Sequence, residues 1–113
     1  ERVGAYEQVY RMLVNEGEHG WVNMIREGAS SCFEAWGKDQ KWNTSLCHPW
    51  ASAPNSVIIE VIAGICLKPQ NEKGFEFHPH VPDELSEFSI RVPFRGKQLT
   101  ICKKDGKVVL TQE

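Results

Sequence analysis

Several absences bound this chain of 113 residues. There is no C-x-x-C pair, because Cys32, Cys47, Cys66 and Cys102 lie far apart. That removes the main support for zinc-ribbon and thioredoxin-type readings. There is no basic excess either. Thirteen Lys and Arg against fifteen Asp and Glu leave a net charge of -2, whereas an electrostatic grip on phosphates needs surplus cations. No apolar run reaches bilayer length, since Glu60 interrupts the stretch from Val57 to Ile65. No basic start followed by an apolar stretch marks a signal peptide. Neither nucleic acid nor a membrane is therefore an expected partner. The chain also lacks an initiator Met. It opens Glu1-Arg2-Val3 and turns helical almost at once, as expected of a truncated or processed product. What is present is ordinary globular usage, 41% hydrophobic and 25% charged, so wholesale disorder is not expected.

The four cysteines allow two disulfides in three connectivities. Cys32, Cys47 and Cys66 sit beside apolar residues, and structural thiols are the favoured reading. His78-Pro79-His80 offers half a metal site, with no further His or Cys at a ligand spacing, so no metal is expected.

Tyr6, Val9, Tyr10, Leu13 and Val14 follow helical spacing, with Glu7, Gln8 and Arg11 on the other face and Gly17 as the end. A shorter helix from Trp21 to about Glu27 is closed by Gly28, and the two read as a helical hairpin. Gly37 to Thr44 is a polar loop. Ala53-Pro54 starts the next element, with Pro54 suited to a first helical turn. Val57 to Ala63 is nearly all apolar. Its β-branched residues favour a strand, while Ser-Ala-Pro-Asn-Ser before it and Gly64 after it favour a helix. As a helix it must be buried on most sides, which hints at absent neighbours. After Lys68-Pro69 the period changes to two. Phe75 and Phe77 alternate, then Phe88, Ile90 and Val92, closed by Pro93, then Leu99 and Ile101. Asp105-Gly106 signals a two-residue hairpin leading to Val108 and Leu110. The expected layout is α+β: helices over residues 1–67, then a small antiparallel sheet or sandwich over residues 68–113.

The densest chemistry is Gly28-Ala-Ser-Ser-Cys-Phe-Glu34-Ala-Trp36, followed by Trp42-Asn-Thr-Ser-Leu-Cys-His48-Pro-Trp50. Aromatic faces with interspersed polar groups suit a sugar, whose apolar face stacks while its hydroxyls seek partners. Phe33 and Trp36 beside Glu34 would tune its ionisation by desolvation. By residue type alone, an exposed helix-start Glu beside core aromatics is the favoured reading. Trp21 and Trp50 are expected in the core, Glu60 on a helix surface, Lys103 to Lys107 at a solvated hairpin tip, and the Phe75, Phe77, Phe88 and Phe94 set in a sandwich core.

The words themselves resemble a family. Gly-Trp-Val-Asn-Met-Ile-Arg-Glu-Gly-Ala-Ser-Ser-Cys-Phe-Glu-Ala-Trp (20–36) is similar to the Gly-Tyr-Met-Ile-x-x-Gly-Ala-Thr-Thr-x-Trp-Glu-x-Trp pattern of bacterial α-L-rhamnosidases. Thr-Ser-Leu-Cys-His-Pro-Trp-Ala-Ser-Ala-Pro (44–54) looks like the family's next block. Val-Ile-Ala-Gly-Ile (61–65), Pro69, Gly74-Phe75, Pro79 and Pro82 fit its continuation. The likeness runs in order over about residues 20–103. It implies the last helices of an (α/α)6 barrel followed by a C-terminal β-sandwich, with the partners of the 57–63 helix in the part of the barrel not present. It also implies inverting hydrolysis of terminal α-L-rhamnose from a glycoside or polysaccharide, without metal or organic cofactor. Glu34 matches the family's general base. His48 matches a His that contacts the rhamnose, and Trp36 matches the aromatic after the base, lining the pocket or supporting it. Phe33 stands where Trp is usual, Ser30-Ser31 where Thr-Thr is usual, and the loop from Glu34 to His48 looks shorter than in many members. Nothing here matches the family's acid segment; Glu16, Glu18 and Glu27 lack that context. The chain alone is therefore expected to be inactive, and to self-associate through residues 1–27 or 54–65. A non-catalytic carbohydrate-binding or interaction module is the alternative, with a hydrolase or lyase for another sugar a weaker third.

Overall fold

The computed structural model describes residues 4–113. Glu1, Arg2 and Val3, where the sequence places the approach to the first helix, lie outside the described residues. The chain divides into two compact units, one ending at Val57 and one spanning Ile58–Glu113. The architecture is α+β, with short helices first and antiparallel strands after them.

In the first unit, α1 spans Tyr6–Leu13. Tyr6, Val9, Tyr10 and Leu13 are half-buried on one side, and Glu7, Gln8 and Arg11 are exposed on the other. The Asn15 side-chain oxygen then accepts the Gly17 N–H at 3.0 Å, a local turn that competes with further helix. Helix α2 spans Trp21–Arg26. It is entered through buried Gly20, where a Cβ would overlap the Asn15 carbonyl oxygen. Gly28 leaves the helix at φ +79°, the stop that glycine allows without steric cost. The small core of this unit is Met24 and Phe33, 3% and 2% exposed, with the Phe33 N–H directed at the Met24 sulfur. After a 3-10 turn over Pro49–Ser52, α3 spans Ala53–Val57.

The second unit opens with a π-helical turn, Ile58–Ile62. Strand β1 (Ile65–Leu67) pairs antiparallel with β2 (Phe75–Phe77). Strands β3 (Phe88–Phe94), β4 (Lys97–Lys104) and β5 (Lys107–Gln112) form a second antiparallel sheet in that order. Ala63, Ile65, Phe75, Leu99 and Ile101 make the buried core, with Phe77, Phe88, Ile90, Val92 and Phe94 packed against it. Alternation along β3 and β4 sends these apolar side chains to one face. Apolar burial of this kind, at about 25 cal/mol per Å², is what holds so small a sheet together.

Four sequence expectations need correction. The helical stretch does not reach residue 67, because Ile65–Leu67 is a strand; the Gly64 stop leaves β-branched Ile65 free to extend. The apolar turn before it finds part of its cover inside its own unit: Ala63, 0% exposed, belongs to the core, and Ile59 packs on it. Pro93 does not close β3 but lies within it, paired in register with Gln98. Because β3 is an edge strand, the missing N–H costs no ladder bond. Lys103 is not at a solvated tip. It is 5% exposed, its stem on the core face of β4 and its Nζ donating to the Pro82 carbonyl at 2.6 Å. The turn residues Asp105 and Gly106 have φ of 51° and 72°, as a two-residue hairpin requires. Arg95 and Gly96, at 50° and 74°, form a second such turn that the sequence does not advertise.

Candidate functional site

Glu34, Trp36 and His48 all fall in the first unit. Two backbone bonds lay one segment beside the other: Glu34 N–H donates to the Ser45 carbonyl at 2.8 Å, and His48 N–H donates to the Cys32 carbonyl at 2.8 Å. One more residue lies between these anchors on the second segment than on the first, which aims successive side chains differently, as a bulge does. Phe33 is driven into the core and its neighbour Glu34 is left facing outward.

Glu34 is not idle. Lys41 Nζ approaches its Oε1 at 2.5 Å, and the Ser45 N–H donates to its Oε2 at 3.2 Å. The Lys41 ammonium first, and then the Ser45 amide, hold the Glu34 carboxyl below its ordinary value of 4.5; modest desolvation opposes them, and the charges of Lys41 and His48 add to the lowering. Glu34 is thus a carboxylate, not a carboxylic acid, near neutral pH. Its side chain keeps 29% of its surface accessible, so water reaches it.

His48 is half-buried and meets Trp50 edge-on at 6.0 Å between ring centroids. Trp36 meets Trp21 edge-on at 5.0 Å, a favoured aromatic geometry. The Trp36 carbonyl accepts from the Asn23 side chain at 2.9 Å, and the Trp21 indole N–H donates to the Ala51 carbonyl at 3.0 Å. These bonds tie α2 to both chain segments that carry the site. Together Glu34, Trp36 and His48 border an open recess of about 420 Å³, walled by Trp21 and Trp50 with Met24 and Phe33 beneath. Such a surface, mostly aromatic with a carboxylate and an imidazole at hand, can stack on the apolar face of a sugar and bond its hydroxyls.

The structure therefore brings the three expected site residues to one recess. It also corrects the sequence on Trp50, which is 90% exposed rather than in the core, because Pro49 opens a 3-10 turn that carries it outward. Trp21 is half-buried and lines the recess. Glu60 is exposed, and it lies in the second unit. Lys41 was missed altogether. A lysine in a polar, aperiodic loop carries no sequence signal of the carboxylate it will meet. No disulfide joins Cys32, Cys47, Cys66 and Cys102. Among the described residues, no group of three His, Cys, Asp or Glu is arranged to hold a metal ion, and no helix is long and apolar enough to cross a membrane.

Residues 1–62 match the family model of the bacterial alpha-L-rhamnosidase 6 hairpin glycosidase domain. Residues 67–113 match that of the glycosyl hydrolase family 65 C-terminal domain. No curated protein and no solved structure matches the chain. Glycoside-hydrolase-related domains thus account for both the helical and the strand-rich parts.

Proposed function

The chain belongs to the bacterial alpha-L-rhamnosidase 6 hairpin glycosidase family, and from that premise we propose that it carries the water-activating half of an inverting α-L-rhamnosidase site. Glu34 is the general base. It takes a proton from water as the water oxygen bonds to the anomeric carbon. The glycosidic C–O bond breaks on the opposite face, and a separate carboxylic acid gives its proton to the departing oxygen. Inversion needs those two carboxyl groups about 6.5–9.5 Å apart, with room for the water between them. His48 bonds a ring hydroxyl and Trp36 presents an apolar face to the sugar. The partner is the terminal α-L-rhamnose of a glycoside or polysaccharide, and the reaction uses neither metal nor organic cofactor.

The observation that carries this reading is that an ionised carboxylate and an imidazole border one open, indole-walled recess. Among the described residues lining that recess, Glu34 is the only carboxylate. The acid must then come from outside it, and the 113-residue chain alone does not turn over. Titrating the chain with L-rhamnose while recording NMR spectra tests the binding half. Shifts are expected at Glu34, Trp36 and His48, and an alkyl α-L-rhamnoside is expected to stay intact. Hydrolysis by the chain alone, abolished by Glu34→Gln, overturns the half-site reading.

One observation favours the non-catalytic alternative. Trp42 and Trp50 are 95% and 90% exposed, as the indoles of a sugar-binding platform are. In that case Trp42→Ala and Trp50→Ala abolish binding while Glu34→Gln leaves it unchanged.

A further inference from the structure

The loop over 37–44 is polar and aperiodic in sequence, yet it is pinned at several points. At its start, the Lys38 N–H donates to Glu27 Oε2 at 2.7 Å, and Lys38 Nζ donates to the Glu27 carbonyl. In its middle, the Gln40 side-chain amide donates to the Glu18 carbonyl at 3.1 Å. At its end, Thr44 returns both its N–H (3.1 Å) and its hydroxyl (2.7 Å) to the Lys41 carbonyl. Those bonds fix the backbone of Lys41, and its ammonium lands on Glu34 Oε1 at 2.5 Å. With the side chains 41% and 29% exposed, the pair is screened less than a fully solvated one.

We propose that Lys41 is a positioning residue for Glu34. The loop delivers the ammonium to Oε1, which keeps the carboxylate ionised and fixes its plane so that a water has a free lone pair to bind. The inference rests on the reading of Glu34 as the base. The count of acceptor sites supports it. A carboxylate offers about four lone-pair directions; Lys41 takes one on Oε1 and the Ser45 N–H one on Oε2. Capacity for a water remains, while rotation of the carboxylate is resisted from both sides. Among the described residues, the charged groups acting on Glu34 are Lys41 from this loop and His48 from the segment after it. Of the two, Lys41 makes the direct bond. A base held in this way stays ionised in more acidic solution than an ordinary glutamate, and it is correspondingly weaker as a proton acceptor.

The test uses the 113-residue chain with ¹³C-labelled glutamate, following the Glu34 side-chain carboxyl carbon against pH; Glu34→Gln identifies the resonance. The wild-type midpoint should lie below that of an ordinary glutamate, and the Ser45 amide should titrate with it. Lys41→Met should move the midpoint upward, and Lys41→Arg should keep it low. Raising the salt concentration should lift the wild-type midpoint, and lift that of Lys41→Met less, since only His48 then remains to be screened. If Lys41→Met does not fold, the salt series on the wild type decides. A midpoint indifferent to Lys41→Met, or to salt in the wild type, overturns the proposal. Such a failure leaves the role of Glu34 as base untouched. Conversely, an enzyme indifferent to loss of Glu34 leaves the titration as it was.

Discussion

Replacing Gly64 by Ala separates two costs that a glycine at positive φ usually combines. Gly64 and Gly106 have similar backbones, φ +77° and +72°. A Cβ at 106 meets nothing within 4 Å, whereas a Cβ at 64 would overlap the carbonyl of His78 and the nitrogen of Pro79. Gly106→Ala therefore bears only the left-handed penalty, about 1 kcal/mol. Gly64→Ala adds a collision between backbones that no rotamer relieves. Relief requires the chain after β2 to withdraw, breaking the His78 N–H bond to the Gly64 carbonyl (2.8 Å) and loosening the Ile65–Phe77 pairing beside it. Ile65 and Phe75 are 1% and 5% exposed, and uncovering either forfeits about 1.5–3 kcal/mol. Gly64→Ala should then cost about 2.5 kcal/mol with one of the two uncovered and up to about 7 kcal/mol with both. A unit of this size has a total stability on the order of 3–8 kcal/mol, so the variant should be largely unfolded in this unit. All four tryptophans precede Ile58, so fluorescence does not follow the event. Urea unfolding read from the methyl resonances of Leu99 and Ile101 does. Stability of Gly64→Ala within about 1 kcal/mol of Gly106→Ala would mean that the close approach of His78 and Pro79 costs the fold nothing.

Two further outcomes follow from the first unit. The Glu34 carboxyl is lowered in the folded chain, so its contribution to stability is full above the ordinary value of 4.5 and is lost as pH falls through the folded midpoint below it. Tryptophan-detected urea midpoints should fall over that acidic window in the wild type, and fall less in Lys41→Met; parallel curves contradict the ion pair. Phe33, 2% exposed beneath the recess, should cost about 3–5 kcal/mol when cut to Ala. An unchanged tryptophan-detected transition shows that it is not the core of this unit.

Legibility in the sequence followed the range of the interactions. Helices α1 and α2 and the Asp105-Gly106 hairpin were readable because period, stop residue and turn chemistry are local signals. Strand β1 was not, since three residues after a glycine carry no period, and its pairing with β2 is supplied by residues beyond an intervening loop. Pro93 misled because its tolerance depends on β3 being an edge, a fact of sheet order rather than of sequence. Lys103 misled because charge predicts exposure until a carbonyl, here that of Pro82, takes the ammonium. At the site, family likeness named Glu34, His48 and Trp36, and the fold brings them to one recess. Lys41 stayed hidden because its contact depends on how a loop without period is tethered. The exposure of Trp50 was hidden likewise, decided by the turn at Pro49.

If Glu34 activates water, as proposed, its loss is read in the turnover number. In an active α-L-rhamnosidase containing this chain, Glu34→Ala should lower kcat by about 10²–10⁴-fold. Added azide, which attacks the anomeric carbon without needing a base, should restore turnover and give the rhamnosyl azide of inverted configuration. A kcat unchanged by Glu34→Ala contradicts the claim.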